Sequence, residues 1–506
     1  MHTGIPNSAN YDSDQYESPS DVGMIEKPVP AAAMTVPISL VFIFTTTLWR
    51  IICLRFDTTD LFVDEAQYWL WSTHLDLGYY SKPPMIAWII HLVTWFSGSS
   101  SIFWIRISGP VLHMLTALML MRSARHFGNG SFQAWTGVTF ITLPGVAFSS
   151  VFFSTDVVLL VFFAVALWAY LGLTKRRSLP LAIIFGLAFA GAFMSKYAIL
   201  FVVPGGLLAL LFLPVARIGW RDFFVASTVA IIGCLPNLWW NFENQLTTVR
   251  HTESIAGWSA LSLHPLGAIG FFAAQFGVVG PIIFFAILWA GRRLLQSRSD
   301  EREKLLFWLS FPVVLLITLQ ALMAKAYANW AVTAYVAGTI LAVLILHALW
   351  PKGLRHSLVI NGVVSLLLPI GIVFSHQLSL PGGVEIFKRY TGRSDISREA
   401  EYLATLAKLD TIVSDDRDLL ADMHYTLRND PLKIYARPRM GPPTNYYQQV
   451  FALPPATDRP VLMVTMTPFT CSSSDPALVK SWVPTSGNYK GKRFYAYATS
   501  SRCLAL

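Results

Sequence analysis

The chain has 506 residues, of which 54% are hydrophobic and only 13% are charged, and its formal net charge is +9. Soluble domains carry about 25% charged residues, so this composition excludes a large soluble enzyme and predicts a polytopic α-helical membrane protein. The positive charge does not indicate a nucleic-acid partner, because the basic residues form short clusters between apolar runs, as membrane topology requires.

The chain begins with a polar segment, residues 1–33, that is acidic and contains proline and serine. We expect a disordered cytoplasmic tail without a cleaved signal peptide, because no apolar stretch follows a basic N-terminus within it. The apolar run at 34–54 is too long for a signal peptide and predicts the first membrane span.

Apolar runs long enough to cross a bilayer recur along the next 320 or so residues. They predict about eleven spans in total, at residues 34–54, 104–122, 132–150, 155–173, 180–196, 198–214, 222–240, 266–290, 304–323, 327–349 and 356–375. The run at 84–97 is shorter than the about 20 residues that a span needs, so we expect it to be interfacial or re-entrant.

Basic clusters follow alternate spans, as expected of cytoplasmic loops. These clusters are Arg122/Arg125, Lys175/Arg176/Arg177, Arg217/Arg221, Arg292/Arg293/Arg298/Arg302/Lys304 and Lys352/Arg355. The alternation places the N-terminus inside, the C-terminus outside, and a set of polar and ionisable residues together on the outer face. That set is Asp64, Glu65, Lys82, Asp156, Lys196, Asn241, Glu243, Arg250, His251 and Lys325. Ionisable groups at a membrane edge are functional candidates.

The composition becomes ordinary and polar after about residue 380. A helical pattern at 398–409 and strand-like runs at 411–414, 432–435, 461–467 and 494–498 predict a small α/β domain. We therefore divide the chain into the tail, a membrane domain at 34–380 with its first outer loop at 55–103, and an extracytoplasmic domain at 381–506. Cys471 and Cys503 lie in this last domain, and their pairing depends on an oxidising compartment.

Asp64 and Glu65 come just after the first span and precede the aromatic stretch 68–71. One interpretation is that the pair occupies the first turn of a helix, where carboxylates are favoured. The other is that one carboxylate is a general base, which must lie beside an acceptor hydroxyl. Adjacent side chains point in different directions, so we assign the base to Asp64 and a structural role to Glu65.

Three further residues each have two interpretations. Lys82, which two prolines follow, either extends toward the interface before a proline-started helix or holds a phosphate. Asp156 follows Ser154 and Thr155 at a helix start, but capping explains the hydroxyls better, and the carboxylate could face a cation or a metal. Lys196 sits in a tight turn between two apolar runs, either exposed to solvent or as a second phosphate contact.

The outer loop 237–251 ends in Arg250 and His251. Arginine suits phosphate oxygens, and histidine can bind a metal or transfer a proton, although the segment could also be an ordinary loop. The segment from Lys325 to Asn329 is a weaker candidate of the same kind.

Taken together, these segments resemble the GT-C glycosyltransferases of the protein-mannosyltransferase and aminoarabinose-transferase type. The resemblance covers about 55–350, and the phrase from Asp64 to Pro84 is most similar to bacterial transferases of lipid A and the lipopolysaccharide core. The residues that carry it are Asp64-Glu65, Tyr79-Tyr80-Ser81-Lys82-Pro83-Pro84, Thr155-Asp156, Gly191, Ser195-Lys196-Tyr197, Pro236-Asn237, Asn241 and Arg250-His251-Thr252.

The resemblance implies a GT-C membrane domain that transfers a sugar, with inversion, from a polyprenyl-phosphate donor to a glycolipid acceptor on the periplasmic face of a bacterial inner membrane. It implies that Asp64 is the catalytic base, that Asp156 is a second carboxylate near the acceptor or a metal, and that Lys82, Lys196 and Arg250 hold the donor phosphate. Substrate contacts or structural support are expected from Glu65, Tyr80, Tyr197, Asn241 and Asn329.

One position departs from the pattern of the family. In aminoarabinose transferases a glutamate precedes the lysine of the Lys-Pro motif and helps to bind a metal, whereas this chain has Ser81 there. No cofactor is required by the sequence, and a divalent metal held by His251 and Asp156 remains open.

Two alternatives remain at this level. A protein O-mannosyltransferase would use a Ser or Thr hydroxyl as acceptor. A transporter of lipid-linked sugars would not be an enzyme, and it would be expected to place ionisable residues near the bilayer midplane in inverted repeats, which the sequence does not show.

Overall fold

The computed structural model describes residues 34–257, 263–454, 458–471 and 476–504. Helices form nearly all of the described chain up to residue 373. They are α1 (Val36–Arg55), α2 (Val63–Thr73), α3 (Met85–Ser97), α4 (Ile102–Arg106), α5 (Ser108–Ala124), α6 (Gly130–Thr142), α7 (Pro144–Ser149), α8 (Thr155–Leu173), α9 (Leu179–Ser195), α10 (Val203–Phe212), α11 (Trp220–Glu243), α12 (Thr247–Ala256), α13 (Pro265–Val279), α14 (Pro281–Leu295), α15 (Glu301–Trp308), α16 (Phe311–Met323), α17 (Ala334–Leu349) and α18 (Pro351–Val373).

Among the described residues, six helical stretches are long and apolar enough to cross a membrane. They are Val36–Arg55, Ile102–Ala124, Thr155–Leu173, Trp220–Glu243, Glu301–Met323 and Pro351–Val373. The pair α13 and α14 makes a seventh candidate. The other predicted spans correspond to shorter apolar helices (α9, α10 and α17) and to α6 with α7, while the short run at 84–97 forms the 13-residue helix α3.

Two predicted spans are interrupted. The run at 266–290 is two helices bent by 118° rather than one straight span. Gly280 lies between them with φ of +86°, and Pro281 starts the second helix without a backbone N–H to continue the first. The run at 132–150 is also broken, since Pro144 begins α7 and disfavours α-helical geometry at Leu143, whose ψ is 134°.

The C-terminal part is a small α/β domain, as predicted. A two-stranded antiparallel ribbon, β1 (Ser379–Leu380) and β2 (Val384–Glu385), precedes it. Its helices are α19 (Arg393–Leu406), α20 (Arg417–Thr426) and α21 (Tyr446–Val450), and its strands are β3 (Thr411–Ser414), β4 (Lys433–Ala436), β5 (Pro460–Thr465), β6 (Ala477–Trp482) and β7 (Phe494–Ser500). The sheet order is β4-β3-β5-β7-β6, with β4, β3 and β5 parallel and β7 antiparallel to both of its neighbours. The sequence pattern missed α20 and β6.

Helix α2 of the first loop and the C-terminal domain share one hydrophobic core. Trp69 of α2 meets the edge of Tyr425 of α20 with ring centroids 5.0 Å apart, and Trp71 contacts Tyr446 at 5.8 Å. Asp60 adds a polar tie, because its carboxylate accepts the backbone N–H of Arg393 at 2.7 Å at the start of α19. The domain is therefore packed directly over the loop that carries Asp64.

The two cysteines of the C-terminal domain form a disulfide. Cys471 and Cys503 are bonded, with their Cα atoms 5.4 Å apart. Cys53 and Cys234 are free and buried in apolar helices. The pairing that the sequence left open is thus present.

We expect Cys503→Ser to lower the free energy of unfolding of the oxidised protein by about 2–4 kcal/mol, because the bond closes a loop between residues 32 apart. Denaturation in detergent measures this loss. Cys234→Ser is the control, because Cys234 is a free cysteine and its replacement leaves the disulfide intact. If the bond forms, reductant should lower the stability of wild type and leave the stability of Cys503→Ser unchanged. A wild-type chain that reductant leaves unchanged would contradict it.

Candidate active site

Helix α2 is held in place by Glu65. Its carboxylate accepts the backbone N–H of Phe62, the residue just before α2, at 2.9 Å, and the N–H of Phe153 at 2.8 Å. Arg106 donates to the same carboxylate through Nε at 3.0 Å and through a terminal nitrogen at 2.6 Å. Glu65 is 3% exposed and all its contacts are structural.

Arg106 joins this carboxylate to the start of the loop. Its second terminal nitrogen binds Asp57 at 2.5 Å and the hydroxyl of Thr59 at 2.6 Å. The carbonyl of Asp60 accepts another bond at 2.8 Å, so the fully buried guanidinium is paired on every side. The network fastens the loop to α4, and this sets the position of the residue next to Glu65.

Asp64 points away from this network toward the C-terminal domain. Its Oδ1 accepts a hydrogen bond from a terminal nitrogen of Arg417 at 2.6 Å. Partial removal from water raises the pKa of Asp64, but the Arg417 guanidinium, and to a lesser degree Lys82, outweigh this and lower the pKa below its usual value. With 43% of its side chain exposed, Asp64 is an ionised carboxylate open to a substrate.

Asp156 forms a second ion pair in the site. It lies in the first turn of α8, where its Oδ1 accepts from Lys196 Nζ at 2.6 Å. Its Oδ2 accepts from the side-chain amide of Asn329 at 2.7 Å. The Asp156 side chain is 8% exposed, so both oxygens are satisfied within the protein.

Lys82 lies within electrostatic reach of both ion pairs. Burial and the charge of Lys196 lower the pKa of Lys82, and Asp64 and Asp156 oppose that shift. Within the described ranges, the Lys82 amine makes no hydrogen bond and no ion pair. The site therefore holds a partly buried cation whose hydrogen-bond donors are free for an anionic ligand.

Helix α12 contributes His251 beside this lysine. Its ring lies 5.0 Å from that of Tyr80, whose hydroxyl donates to the carbonyl of Pro443 at 3.1 Å. Burial, helped by Lys82 and Arg417, lowers the pKa of His251 to about 4, so the imidazole is neutral at pH 7. The Arg250 side chain is exposed and makes no hydrogen bond to any described residue, so the structure does not place it in contact with the two ion pairs.

Tyr197 belongs to a polar cluster that supports the site. Its hydroxyl donates to Asn237 Oδ1 at 2.7 Å and accepts from Asn241 Nδ2 at 3.0 Å. Asn237 in turn donates to the carbonyl of Leu77 at 2.8 Å. These bonds join the turn after Lys196 to α11 and to the first loop, so their role is to hold elements together.

The described residues do not fit a divalent-metal site. No three His, Cys, Asp or Glu side chains converge anywhere in the part of the chain that the structure covers. Both oxygens of Asp156 are taken by Lys196 and Asn329. The hydroxyl of Ser81 lies 3.4 Å from the amide of Gln67.

Sequence reasoning missed Arg417 and Gln67. Arg417 donates to Gln67 Oε1 through two nitrogens, at 3.0 and 3.2 Å, as well as to Asp64. One signal could have found it, since Arg417 comes three residues after strand β3, and the carboxyl ends of parallel strands often carry functional residues. Its contact with Asp64, which lies 353 residues earlier, could not be predicted from a local sequence pattern.

Comparison with known proteins decides the family. The lipid A galacturonosyltransferase RgtD of Rhizobium johnstonii is 59% identical over 466 residues, which cover 92% of this chain and 98% of that protein. The chain belongs to the GT-C glycosyltransferase family. Residues 81–240 also match the family of dolichyl-phosphate-mannose-protein mannosyltransferases. This glycosyltransferase is therefore an enzyme, and the alternative of a non-enzymatic transporter is wrong.

Solved structures agree with this family fold. The crystal structure of ArnT from Cupriavidus metallidurans bound to undecaprenyl phosphate has a TM-score of 0.60 at 12% identity, covering 90% of this chain and 97% of that one. Its apo state has a TM-score of 0.57 with the same coverage. The GT-C fold and the polytopic membrane architecture expected from the sequence are confirmed.

We expect Glu65→Gln to lower the free energy of unfolding by about 3–5 kcal/mol, because it removes one partner of a buried ion pair and leaves Arg106 with less compensation. Glu301→Gln is the matched control, since its exposed pair with Lys304 contributes about 0.3–0.5 kcal/mol. Chemical denaturation in detergent measures both. Similar losses for the two variants would show that the Arg106 network is not structural.

Proposed function

We propose that this glycosyltransferase moves a galacturonosyl residue from a polyprenyl-phosphate donor to lipid A. The observation that carries the proposal is the 59% identity, over nearly the whole chain, with a lipid A galacturonosyltransferase. The fold relative that binds undecaprenyl phosphate supports a polyprenyl carrier. A protein acceptor is less well supported, because the mannosyltransferase family matches residues 81–240 alone.

The reaction takes place on the periplasmic face of the inner membrane in this proposal. Asp156 begins α8 and the basic cluster at Lys175 follows its end, about 28 Å away for a 19-residue helix, so the site and the basic loops lie at opposite ends. Positive loops favour the cytoplasm. The disulfide supports the same orientation, because Cys471 and Cys503 belong to the domain that contacts Asp64, and disulfides persist in the periplasm.

Asp64 acts as the general base in the proposed mechanism. Its carboxylate accepts the proton of the acceptor hydroxyl as that oxygen bonds to the anomeric carbon of the sugar. The bond between this carbon and the phosphate oxygen breaks at the same time, and the phosphate leaves with the bonding electrons. A single displacement inverts the anomeric carbon, and it needs one base rather than the carboxyl pair of a retaining enzyme.

Lys82 stabilises the leaving phosphate in this mechanism. Negative charge grows on the phosphate as the bond breaks, and a preorganised cation lowers the barrier by binding that charge more strongly in the transition state. Lys82 has free donors and low exposure, which meets this need. Lys196, which Asp156 holds in place, adds a second positive charge. Arg250, on the exposed face of α12, is the third phosphate ligand in this proposal.

Asp64→Asn should reduce transfer by about 10²- to 10⁴-fold, because the amide cannot accept the hydroxyl proton. The readout is mass spectrometry of lipid A from a strain that lacks the gene and carries either variant or wild type on a plasmid. The strain without the gene should lose a hexuronic acid that wild type restores. Asp410→Asn, an exposed carboxylate of the C-terminal domain, is the control that should restore it fully.

Asp64→Asn protein that is inserted and folded but fully active would overturn the assignment of the base. Lipid A with an unchanged sugar content in the strain lacking the gene would overturn the proposed acceptor.

Lys82→Ala should weaken donor binding by about 10- to 100-fold, the range expected when a hydrogen bond to a charged group is lost. Equilibrium binding of polyprenyl phosphate without a sugar to the purified enzyme measures the effect on the phosphate alone. Lys433→Ala, which removes an exposed lysine paired with Asp410, should bind as wild type does. Unchanged affinity of Lys82→Ala would rule out its role as a phosphate ligand.

A further inference from the structure

Arg417 is the cation that the C-terminal domain brings to Asp64. It is the first residue of α20, and Asp416 caps this helix by accepting the N–H of Leu419 at 2.9 Å, which fixes the backbone at Arg417. The parallel strand β3 ends three residues earlier. The guanidinium is thus projected from a rigid strand-to-helix turn rather than from a mobile loop.

The contacts of Arg417 leave one corner of its guanidinium unused. Nε and one terminal nitrogen share Gln67 Oε1, at 3.2 and 3.0 Å, and that same terminal nitrogen binds Asp64 at 2.6 Å. The other terminal nitrogen has no hydrogen-bond partner among the described residues. Since 36% of the side chain is exposed, this nitrogen and its two donors are open to a ligand.

We propose that Arg417 is the specificity residue for the sugar, and that it binds the carboxylate of a hexuronosyl donor while it holds Asp64. This inference rests on the proposed function, which makes the donor a uronic acid. The planar guanidinium matches a carboxylate in shape and charge, whereas the lysine Lys82 suits a phosphate as a point charge. Each anion of the donor then has its own cation.

The proposal assigns the two anionic groups of one donor molecule to the two cations. In a hexuronosyl phosphate, the phosphate is on C1 and the carboxylate is on C5, so the two groups are bonded to the carbons on either side of the ring oxygen. Lys82 and Arg417 are near enough for Arg417 to lower the pKa of Lys82, and both act on Asp64. In the proposed complex, a single sugar ring beside Asp64 contacts both cations.

The bound carboxylate also affects the base. Arg417 lowers the pKa of Asp64 in the empty site, which makes it a weaker base. A second carboxylate on the same guanidinium shares its positive charge and repels the charge of Asp64, which makes Asp64 more basic. The correct donor thereby improves the base, whereas a neutral sugar leaves it as it was.

The test compares two donors with the full-length enzyme in detergent. One is polyprenyl phosphate carrying galacturonate, and the other carries galactose, in which an uncharged CH₂OH replaces the carboxylate. Wild type should bind the uronate donor at least tenfold more tightly and transfer it faster. Arg417→Lys should lose most of this preference, with a ten- to hundredfold drop in kcat/KM for the uronate donor and a much smaller one for the galactose donor.

Arg398→Lys is the matched control, since Arg398 belongs to the same domain but pairs with Glu401 and Asp430 at the surface. It should keep the preference of wild type. Arg417→Gln is a second variant that retains hydrogen bonding to Asp64 but has no positive charge, and binding measurements on it need no catalytic activity. Either variant that binds both donors in the wild-type ratio overturns the proposal, as does an equal loss with both donors.

The outcomes also separate this inference from the proposed function. If wild type transfers galacturonate to lipid A and Arg417→Lys keeps the donor preference, the proposed function is supported and the role of Arg417 in binding the donor carboxylate is wrong. If wild type neither binds nor transfers the uronate donor, the proposed function itself falls.

Discussion

The site depends first on the buried guanidinium of Arg106. It pairs with Asp57 and Glu65, so a charge that would be costly in isolation is compensated on every side. Because Glu65 also caps α2, the same carboxylate that neutralises Arg106 sets where this helix begins. Asp64, one residue earlier and about 100° around the helix axis, is therefore aimed away from the network and into the site. The fixed carboxylate of Glu65 thus positions the carboxylate of Asp64, the proposed base.

The second constraint is that the candidate active site is built from both parts of the chain. Asp64, Lys82, Asp156 and Lys196 come from the membrane part, and Arg417 comes from the sheet domain packed over the first loop. The aromatic residues of α2 make this possible, because they bury one face of the helix against the domain. The C-terminal domain therefore lines one side of the site, and its residue Arg417 is hydrogen-bonded to the proposed base, Asp64.

The proposed donor accounts for the distribution of charge. The carbon chain of a polyprenyl-phosphate donor would stay in the bilayer, so the proposal places the phosphate where the hydrocarbon ends. Two carboxylates there are already paired with Arg417 and Lys196, and Lys82 remains free. This arrangement offers positive charge to an anionic donor. Because both carboxylates are paired, neither is left to repel the phosphate, which carries the same sign of charge.

Local patterns in the sequence predicted the polytopic membrane architecture, four of the five strands of the C-terminal sheet and most candidate residues, because apolar length, basic clusters and strand alternation are local properties. The sequence also separated Asp64 from Glu65, since adjacent residues on a helix face different ways. Which charges are paired became visible in the folded structure alone. Asp156 meets Lys196 and Asn329, and Asp64 meets Arg417, through contacts between residues far apart in the chain. Such pairs depend on how helices and sheet pack, and a local pattern carries no record of that packing.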